Sequence, residues 1–289
     1  MLKALRELQS RAVLYPLGLL LLVAMFLTSA CVQPAADDAA TTPDTSTAGA
    51  PAPPVTITDL CDNLALRPSL QTDWCFACLV EGFDETVLFD TGNSGDTLLA
   101  NMEALGVDPQ DVDIVVLSHE HEDHIGGLAD LLALNPDLTV YCPASFPRSF
   151  TSSAEAAGAT VVLVDAPVSP CPGVTVTAPL TGDSVDEVGL LLDTSQGLVL
   201  MTGCAHPGVG ALARAATDRA GRPLFAVLGG FHLYKDPDSQ VAAVIDDLQG
   251  LGVQECGPAH CTGDAAIAQI QEALGDGFIQ MGVGAVVEF

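Results

Sequence analysis

Basic residues are scarce in this chain of 289 residues, and their scarcity excludes whole classes of partner. Nine lysines and arginines stand against 37 aspartates and glutamates, which gives a formal net charge of −28 at pH 7. A surface of this charge repels nucleic acids and anionic lipid head groups, so we expect no nucleic-acid partner. The same composition argues mildly against a multiply phosphorylated substrate. Two explanations of the acidity stay open, adaptation to salt and high solubility alone.

Histidine is also rare, and three of the six histidines fall within six positions. Residues 118–124 read Ser-His-Glu-His-Glu-Asp-His, directly after an apolar run and directly before Gly126 and Gly127. Imidazoles and carboxylates packed this densely need partners, and they are the ligands of zinc and similar divalent ions. The other histidines, at positions 206, 232 and 260, each follow a predicted strand. The pattern predicts a metal protein.

Residues 1–30 are typical of an export signal. Three basic residues precede an apolar run over 13–30, which ends in small residues directly before Cys31. This order predicts a bacterial lipoprotein signal peptide over 1–30, with Cys31 as the lipidated first residue of the mature chain. An uncleaved N-terminal anchor helix is the alternative, because the apolar run is almost long enough to span a bilayer. Either way we expect the body of the protein outside the cytoplasm, at the cell envelope.

The composition changes after the signal. Residues 31–54 consist mainly of Ala, Thr, Pro, Asp and Gly, and no aromatic residue occurs among them. This segment cannot bury enough apolar surface to fold, so it is predicted to form a disordered tether. Residues 55–289 then form a single α/β domain that carries the function.

Nine cysteines leave several pairings open, because an exported chain can form disulfides. Cys142 and Cys171 are a candidate pair, since both lie on loop segments next to predicted strands. The spacing of Cys75 and Cys78 fits a redox or zinc motif formally. Its apolar surroundings favour buried structural thiols instead.

Strands and helices alternate regularly through 55–289. Strands are predicted at 55–58, 75–80, 86–89, 113–117, 138–141, 160–164, 174–177, 188–192, 198–201, 224–228, 253–256 and 285–289. Helices are predicted at 95–105, 125–134, 149–157, 209–219, 239–251 and 264–274. Such alternation, with a strand-rich middle, predicts an α/β fold of two mixed sheets with helices outside. The polar motifs follow strands, where the ligand sites of α/β folds gather.

The histidine cluster has a spacing that suits two metal ions. Residues two apart in an extended segment point the same way, so His119 and His121 can bind one ion. Asp123 and His124 then turn towards a second ion a few ångströms away. No glycine-rich phosphate loop, Ser-His-Asp order or nucleotide fingerprint competes with this site.

With this motif the chain resembles the metallo-β-lactamase superfamily, whose first metal motif is His-x-His-x-Asp-His after a strand. The likeness extends to Leu-Phe-Asp-Thr-Gly at 88–92, Thr-Gly-Cys-Ala-His-Pro-Gly at 202–208, Gly-Gly-Phe-His-Leu at 229–233 and His-Cys-Thr-Gly at 260–263. Together these motifs resemble one branch, the dihydropterin-6-yl-methyl-aminobenzene-phosphate synthase-like proteins, which are linked by name to methanopterin biosynthesis. The resemblance covers 55–289 and implies a four-layer αββα sandwich of two mixed sheets.

The resemblance also implies two sets of metal ligands. The first set is His119, His121 and His206. The second set is Asp123, His124 and His260. Cys204 occupies the position of the superfamily's usual bridging aspartate, so either a thiolate bridges or coordinates the ions, or the bridge is absent. A histidine usual upstream of that strand is missing, and Glu187 stands nearest to its position.

Two further residues have predicted roles at the site. Asp90, at a strand end, is expected to orient a metal-bound histidine by a hydrogen bond. His232 is evenly balanced between a metal ligand and a residue that contacts substrate or transfers a proton. Asp123 and His232 are therefore the candidate catalytic residues, and His232 is the candidate donor of a proton to the leaving group.

Together these patterns predict a metal-dependent hydrolase of a small ester, lactone or phosphoester-type substrate. Two divalent ions, zinc or alternatively manganese or iron, would acidify a bridging water and hold the developing oxyanion. Two alternatives stay open. One is a pterin-linked transferase, as the branch name implies, and the other is a non-catalytic surface lipoprotein that binds metal or ligand. The oligomeric state stays open.

Overall fold

The computed structural model describes residues 54–183 and 185–289. The predicted signal peptide, Cys31 and the predicted tether as far as residue 53 lie outside the described residues. Within the described part, no helix combines the length and the apolar character that crossing a membrane requires.

Fourteen strands form in the described residues. They are β1 (Thr56–Cys61), β2 (Ala77–Glu81), β3 (Val87–Phe89), β4 (Ile114–Val116), β5 (Thr139–Pro143), β6 (Thr160–Val164), β7 (Val174–Val176), β8 (Leu180–Gly182), β9 (Val185–Glu187), β10 (Leu190–Asp193), β11 (Leu198–Thr202), β12 (Leu224–Gly230), β13 (Glu255–Ala259) and β14 (Val286–Glu288). A seven-stranded sheet has the order β14-β1-β2-β3-β4-β5-β6, and a five-stranded sheet has the order β13-β12-β11-β10-β7. The strands β8 and β9 form a separate hairpin.

Seven α-helices flank these sheets in the part of the chain that the structure describes. They are α1 (Gly95–Leu105), α2 (Glu122–Ile125), α3 (Leu128–Leu134), α4 (Arg148–Ala156), α5 (Val209–Ala220), α6 (Asp238–Gly250) and α7 (Asp264–Leu274). The predicted helices 95–105 and 264–274 are confirmed at both ends.

Three apolar clusters divide the domain into layers. The first lies between the sheets and contains Phe89 of β3 and Met201 of β11. The second packs α1, α3 and α4 against the outer face of the seven-stranded sheet. The third packs α5, α6 and α7 against the outer face of the five-stranded sheet. The predicted αββα sandwich of two mixed sheets is therefore confirmed.

The central strands are apolar without interruption because both of their faces are covered. In β11, Val199 and Met201 point into the cluster between the sheets. Leu198 and Leu200 point into the outer cluster against α5–α7. All five residues of β11 are buried, so this segment does not show the alternation of apolar and polar residues that a strand with one solvent-exposed face has.

The register of the parallel strands brings the polar motifs to one edge of the sandwich. Phe89 of β3 pairs with Val116 of β4, so the residues that follow these two strands emerge side by side. In the other sheet, Thr202 pairs with Gly229, and Gly229 pairs with Pro258. The segments after β11, β12 and β13 therefore leave the sheet together. The fold places all of these motifs where α/β proteins bind ligands.

The predicted helix 125–134 is wrong as a single helix, because the chain breaks at Gly126 and Gly127 between α2 and α3. The backbone there lies against the segment 91–93. A Cβ on Gly126 would lie 2.1 Å from the Asn93 carbonyl oxygen, and one on Gly127 would lie 2.2 Å from that of Thr91. The two glycines let the metal motif pack against the end of β3.

The candidate pair of Cys142 and Cys171 is wrong, because both are free thiols. Cys142 belongs to the outer cluster of the seven-stranded sheet, whereas Cys171 belongs to the cluster between the sheets. The disulfide that does form joins Cys61 and Cys75, with Cα atoms 5.6 Å apart. Cys61 pairs with Ala77 across the antiparallel strands β1 and β2, which brings the two thiols together. Of the Cys75 and Cys78 motif, only Cys78 is a buried thiol.

Candidate metal centre

All six histidines of the chain meet at the edge where the parallel strands end. Three groups of potential ligand atoms lie there, and within each group the atoms are all within 4.8 Å of one another. The first group is His119, His121 and His206. The second is Asp123, His124, Cys204 and His260. The third is Cys204, His206 and His232. Because Cys204 and His206 are shared, the three groups form one connected cluster that includes every predicted ligand.

Asp90 organises the side of the cluster that follows β3 and β4. Its carboxylate accepts hydrogen bonds from the backbone N–H and the hydroxyl of Ser118, each 2.7 Å long, and is 2.7 Å from Nδ1 of His124. The Ser118 hydroxyl also lies 2.9 Å from Nδ1 of His119. Both imidazoles are thereby held through Nδ1 and turn Nε2 towards the centre, as metal-binding histidines require.

Glu187, at the end of β9, anchors the loop that follows β11. Its buried carboxylate accepts hydrogen bonds of 2.8–3.0 Å from four successive backbone N–H groups, those of residues 203–206. Burial raises the pKa of Glu187 to about 7, and the N–H donors oppose this shift because they stabilise the charged carboxylate. Glu187 therefore positions Cys204 and His206 through their backbone.

His260 is held by residues that follow β1. Asn63 donates a hydrogen bond to the backbone carbonyl of His260, and its Oδ1 lies 3.2 Å from Nδ1 of the ring. Asp62 accepts a hydrogen bond from the backbone N–H of His260. The free ring nitrogen, Nε2, lies 3.2 Å from Oδ2 of Asp123. These contacts fix the ring so that its Nε2 points into the second ligand group.

A pair of buried thiols lies at the middle of the cluster. Sγ of Cys204 lies 3.2 Å from Nε2 of His124. Hydrogen bonding with Cys261 and burial raise the pKa of Cys204. Burial opposes ionisation of Cys261, but contacts with Cys204 and His232 lower its pKa well below the usual value. The site thus holds a thiol pair among its imidazoles, which is a softer donor set than histidine and aspartate alone.

Strained backbone marks the same positions. Asp90, Ala205, His232 and His260 have φ angles of 61°, 60°, 55° and 48°, in the left-handed region that L-residues rarely adopt. Each such residue costs of order 1–3 kcal/mol, and strain of this kind concentrates at functional sites. The side chains of the centre are therefore aimed by backbone conformations that the surrounding sandwich has to enforce.

The protonation of the cluster fits a metal site. Burial and neighbouring imidazoles lower the pKa of His119 and bring the pKa of His206 to about 4, so both rings are neutral near pH 7. Burial opposes ionisation of Asp123, but the adjacent His260 and His124 lower its pKa to about 2. Both ring nitrogens of His206 and Nδ1 of His232 are buried without a hydrogen-bond partner. Neutral imidazoles with unused lone pairs beside a carboxylate are what a divalent cation binds.

A four-layer αββα sandwich with histidine, aspartate and cysteine side chains converging at its strand ends defines a metal-dependent α/β protein. The chain belongs to the metallo-β-lactamase superfamily, whose sequence profile matches residues 75–220, half of its length. The matched region contains the histidine motif, Glu187, Cys204 and His206. It does not include His232 and His260.

Two relatives differ in how much of the chain they cover. The 7,8-dihydropterin-6-methyl-4-(β-D-ribofuranosyl)-aminobenzene-5′-phosphate synthase of Methanocaldococcus jannaschii is 28% identical over 252 residues, covering 72% of this chain and 86% of the relative. The hydroxyacylglutathione hydrolase of Erwinia tasmaniensis is 37% identical over 81 residues, covering 28% of this chain and 30% of the relative. The first likeness therefore covers most of the chain, and the second less than a third of it.

Solved structures match the fold. Tm1679, a metal-dependent hydrolase of the β-lactamase superfamily, superimposes with a TM-score of 0.70 at 24% identity, covering 81% of this chain and 99% of that one. The metallo-β-lactamase fold protein YhfI of Bacillus subtilis gives a TM-score of 0.62 at 17% identity, covering 82% and 100%. At these identities the likeness establishes the architecture alone.

Three side chains at the centre have no predicted role from sequence. Ser118 and Cys261 lie next to predicted ligands in the chain, and that adjacency is the only signal for them. Asn63 is 197 residues from His260, the ring that it orients. No local pattern links two such distant positions, so the contact emerges only from the folded structure.

Proposed function

We propose that the protein is a metal-dependent hydrolase that acts on a small ester, lactone or phosphoester-type substrate at a two-metal centre. The observation that carries the proposal is the convergence of the three ligand groups, where both ring nitrogens of His206, Nδ1 of His232 and Nε2 of His260 are buried without a hydrogen-bond partner. Ordinary core packing does not leave several polar atoms unsatisfied at one point, because each costs about 1–3 kcal/mol.

The donors divide between two ions. His119, His121 and His206 would hold the first ion, and Asp123, His124 and His260 the second. Cys204, which belongs to two of the groups, would serve as a shared ligand. Zinc suits this mixture of imidazole, carboxylate and thiolate, and manganese or iron is the alternative. Such ions would acidify a water molecule and polarise the substrate oxygen that it attacks.

The protein's own residues would position the substrate and handle protons. Asp90, Glu187 and Asn63 hold the ligands in place through the hydrogen bonds described above. His232 is half-buried, and its Nδ1 has no hydrogen-bond partner. It is therefore available to give a proton to the leaving group, provided that it is not itself a ligand.

A variant of His121 tests the metal assignment. We expect His121→Ala to lose metal and to lower kcat/KM by more than about 100-fold, because it removes an imidazole from the first ligand group. Metal content measured by mass spectrometry and hydrolysis of a panel of phosphodiester, lactone, thioester and β-lactam substrates give the two readouts. Glu120→Ala is the matched control, since Glu120 is exposed and adjacent in the chain.

Each readout can fail separately. Full metal content in His121→Ala contradicts the ligand assignment. A metal-loaded wild-type protein that hydrolyses nothing in the panel but binds a ligand tightly contradicts the hydrolase proposal. That result favours a non-catalytic binding protein of the cell surface.

A second candidate function is a pterin-linked transfer reaction. The similarity to the Methanocaldococcus jannaschii synthase, which covers 72% of this chain, favours it. Incubation of the metal-loaded protein with a dihydropterin and an aminobenzene-ribose phosphate, followed by chromatography, distinguishes the two. A condensed product supports transfer, whereas cleavage of panel substrates without condensation supports hydrolysis.

For location, we propose a lipid anchor at Cys31 that tethers the domain to the cell envelope. The basis is the basic, apolar and small-residue order of residues 1–31. Labelling of cells with a fatty-acid analogue should mark the wild-type protein and not Cys31→Ala. Label retained in that variant contradicts the assignment, and a full-length unlabelled membrane protein supports the uncleaved anchor.

A further inference from the structure

Seven rings at the candidate metal centre form a closed circuit, in which each ring lies close to the next. In order around the circuit, its members are His119, His206, His232, Tyr234, Trp74, His260 and His124. Adjacent ring centroids are 4.1–5.8 Å apart. Five members are imidazoles of the three candidate donor groups. Trp74 and Tyr234 are the other two members, and the donor groups do not include them.

These two rings are also the exposed part of the circuit. The exposed fraction is 46% for Trp74 and 43% for Tyr234, whereas His119, His124 and His260 are buried. A ring that only sealed the centre would itself be covered. Trp74 and Tyr234 instead contact each other edge to face, with centroids 5.8 Å apart, and leave aromatic surface in solvent beside the reacting groups.

Trp74 is held in place although it is exposed. The disulfide between Cys61 and Cys75 anchors the residue that follows it. One position further on, the backbone N–H of Phe76 donates to the carbonyl of Asp123, a candidate metal ligand. The indole ring itself lies 5.0 Å from the His260 ring. The backbone that carries the indole is thus fixed, so a ligand that contacts the ring does not have to order this segment of chain.

Tyr234 is fixed in a comparable way. Its backbone N–H donates to the carbonyl of Cys261, and the missing side chain of Gly263 makes room for it. A Cβ at Gly263 would lie 2.7 Å from Cβ of Tyr234. The ring is 5.6 Å from that of His232, the candidate proton donor.

A cation accompanies the two rings. Lys235 is one of only two lysines in the chain, and its Nζ lies 4.5 Å from the centroid of the Tyr234 ring. In a protein with a formal charge of −28, most of the surface repels a negatively charged group, whereas a lysine beside Tyr234 gives such a group a local partner.

We propose that Trp74, Tyr234 and Lys235 form a substrate-recognition wall, which accepts a flat aromatic or heteroaromatic ring that carries an anionic group. Trp74 and Tyr234 contact the face or edge of the ring, and Lys235 pairs with the anion. The inference rests on the proposed function in that it takes this centre as the place where the substrate reacts. It adds the chemical class of that substrate and the residues that select it.

Three matched probes test the wall by calorimetric binding to the metal-loaded protein. Phenylacetate and cyclohexylacetate share the carboxylate and differ in the flatness of the ring, and phenylacetamide lacks the charge. We expect phenylacetate to bind roughly threefold to tenfold more tightly than cyclohexylacetate. The hydrophobic effect alone gives the reverse order, because the saturated ring is the more apolar. Carboxylate contacts with the metals are common to both acids and cancel in the ratio.

Conservative variants separate recognition from folding. Trp74→Leu and Tyr234→Leu should each reduce the preference for the aromatic acid, and Trp74→Phe and Tyr234→Phe should keep it. Lys235→Gln should weaken phenylacetate binding about twofold to fivefold and leave phenylacetamide binding unchanged. Metal content and thermal unfolding of each variant identify any that fails to fold, and the wild-type binding ratio and the glutamine variant then carry the test.

Equal or tighter binding of cyclohexylacetate to the wild-type protein overturns the proposal. So does an aromatic preference that survives in both leucine variants. These results do not depend on turnover. A ring preference in a protein without hydrolytic activity supports the wall and contradicts the hydrolase, and hydrolysis without a ring preference does the opposite.

Discussion

Cys204 has the most distinctive chemistry at the scale of single residues. It occupies a position where the sequence resemblance implies a bridging aspartate, and its Sγ lies 3.2 Å from Nε2 of His124. A thiol next to a divalent cation loses its proton, whatever its pKa without the ion. A thiolate is also a softer donor than a carboxylate, so the centre should favour zinc more strongly than an all-oxygen bridge would.

Cobalt substitution tests Cys204 as a ligand. We expect the cobalt(II)-loaded protein to show a thiolate-to-metal charge-transfer band in its absorption spectrum, and Cys204→Ser to lose it. Cys142→Ser is the control, because Cys142 is a free thiol in the outer cluster. A band that persists in Cys204→Ser and disappears in Cys261→Ser assigns the ligand to the neighbouring thiol and contradicts the prediction.

Glu187 permits a second prediction at this scale. Glu187→Gln should lower the free energy of unfolding by about 2–3 kcal/mol, because an amide cannot accept from four backbone N–H groups as the carboxylate does. Metal affinity should fall by about tenfold or more, since the loop over 203–206 is no longer held. Chemical unfolding and metal titration provide the measurements, with the exposed Glu103→Gln as control. A variant with wild-type stability contradicts this role for Glu187.

The sequence predicted which side chains meet at the candidate centre, and it predicted Asp90 as a support, but it gave no sign of Asn63. The compact motif over 119–124 and the histidines after predicted strands are local patterns, and all of these side chains converge in the folded protein. The contacts of Asn63 with His260 depend on two segments at opposite ends of the domain. Support of this kind depends on tertiary geometry, which local spacing does not encode.

At the scale of elements, the structure depends on turns between strand and helix. The long helices follow from apolar periodicity and were predicted well. The break at Gly126 and Gly127 was not predicted. A glycine inside an apolar helical pattern does not show by itself that another backbone segment packs against it. The hairpin of β8 and β9 was also missed, since its three-residue strands are too short to carry a pattern.

The disulfide between Cys61 and Cys75 permits a prediction at the scale of elements. It closes a loop between residues 14 apart, so its removal in the double variant Cys61→Ala, Cys75→Ala should cost about 3 kcal/mol. Urea unfolding measures this cost without a reductant that would also bind metal. Cys142→Ala, which removes one buried free thiol, should cost about 1 kcal/mol. A double variant no less stable than this control contradicts a stabilising role.

At the scale of the whole molecule, the large negative net charge lowers the free energy of unfolding. With a net charge of −28, the acidic side chains repel one another more strongly in the compact state than in the expanded chain. We expect the Tm of the metal-free protein to rise by at least about 3 °C between low salt and 1 M sodium chloride, where the Debye length is about 3 Å. Calorimetry measures the shift.

The pH supplies the control for the salt effect. Nearer the isoelectric point of about 4.1, the net charge is small and the salt-dependent rise in Tm should shrink. An equal rise at both pH values points to an effect of salt on apolar burial and contradicts the electrostatic explanation.

The layered architecture was predictable and the strand order was not. The alternation of strands and helices predicted two sheets with helices on their outer faces. The resemblance of the motifs identified the arrangement as a sandwich. The pairing of β14 with β1, which joins the end of the domain to its beginning, has no local signal in either three-residue or six-residue segment. Such long-range pairing is decided by closure of the whole core.

The ring circuit has an optical consequence. Trp74 is the only tryptophan of the chain, and its indole lies 5.0 Å from the imidazole of a candidate ligand. Its ultraviolet emission therefore originates at a single point, directly beside the metal centre. Paramagnetic ions such as cobalt(II) or copper(II) quench an indole at this range, whereas zinc does not. The protein thus contains an intrinsic fluorophore. Its emission intensity reports whether a paramagnetic ion occupies the centre, and its emission wavelength reports how much solvent surrounds Trp74.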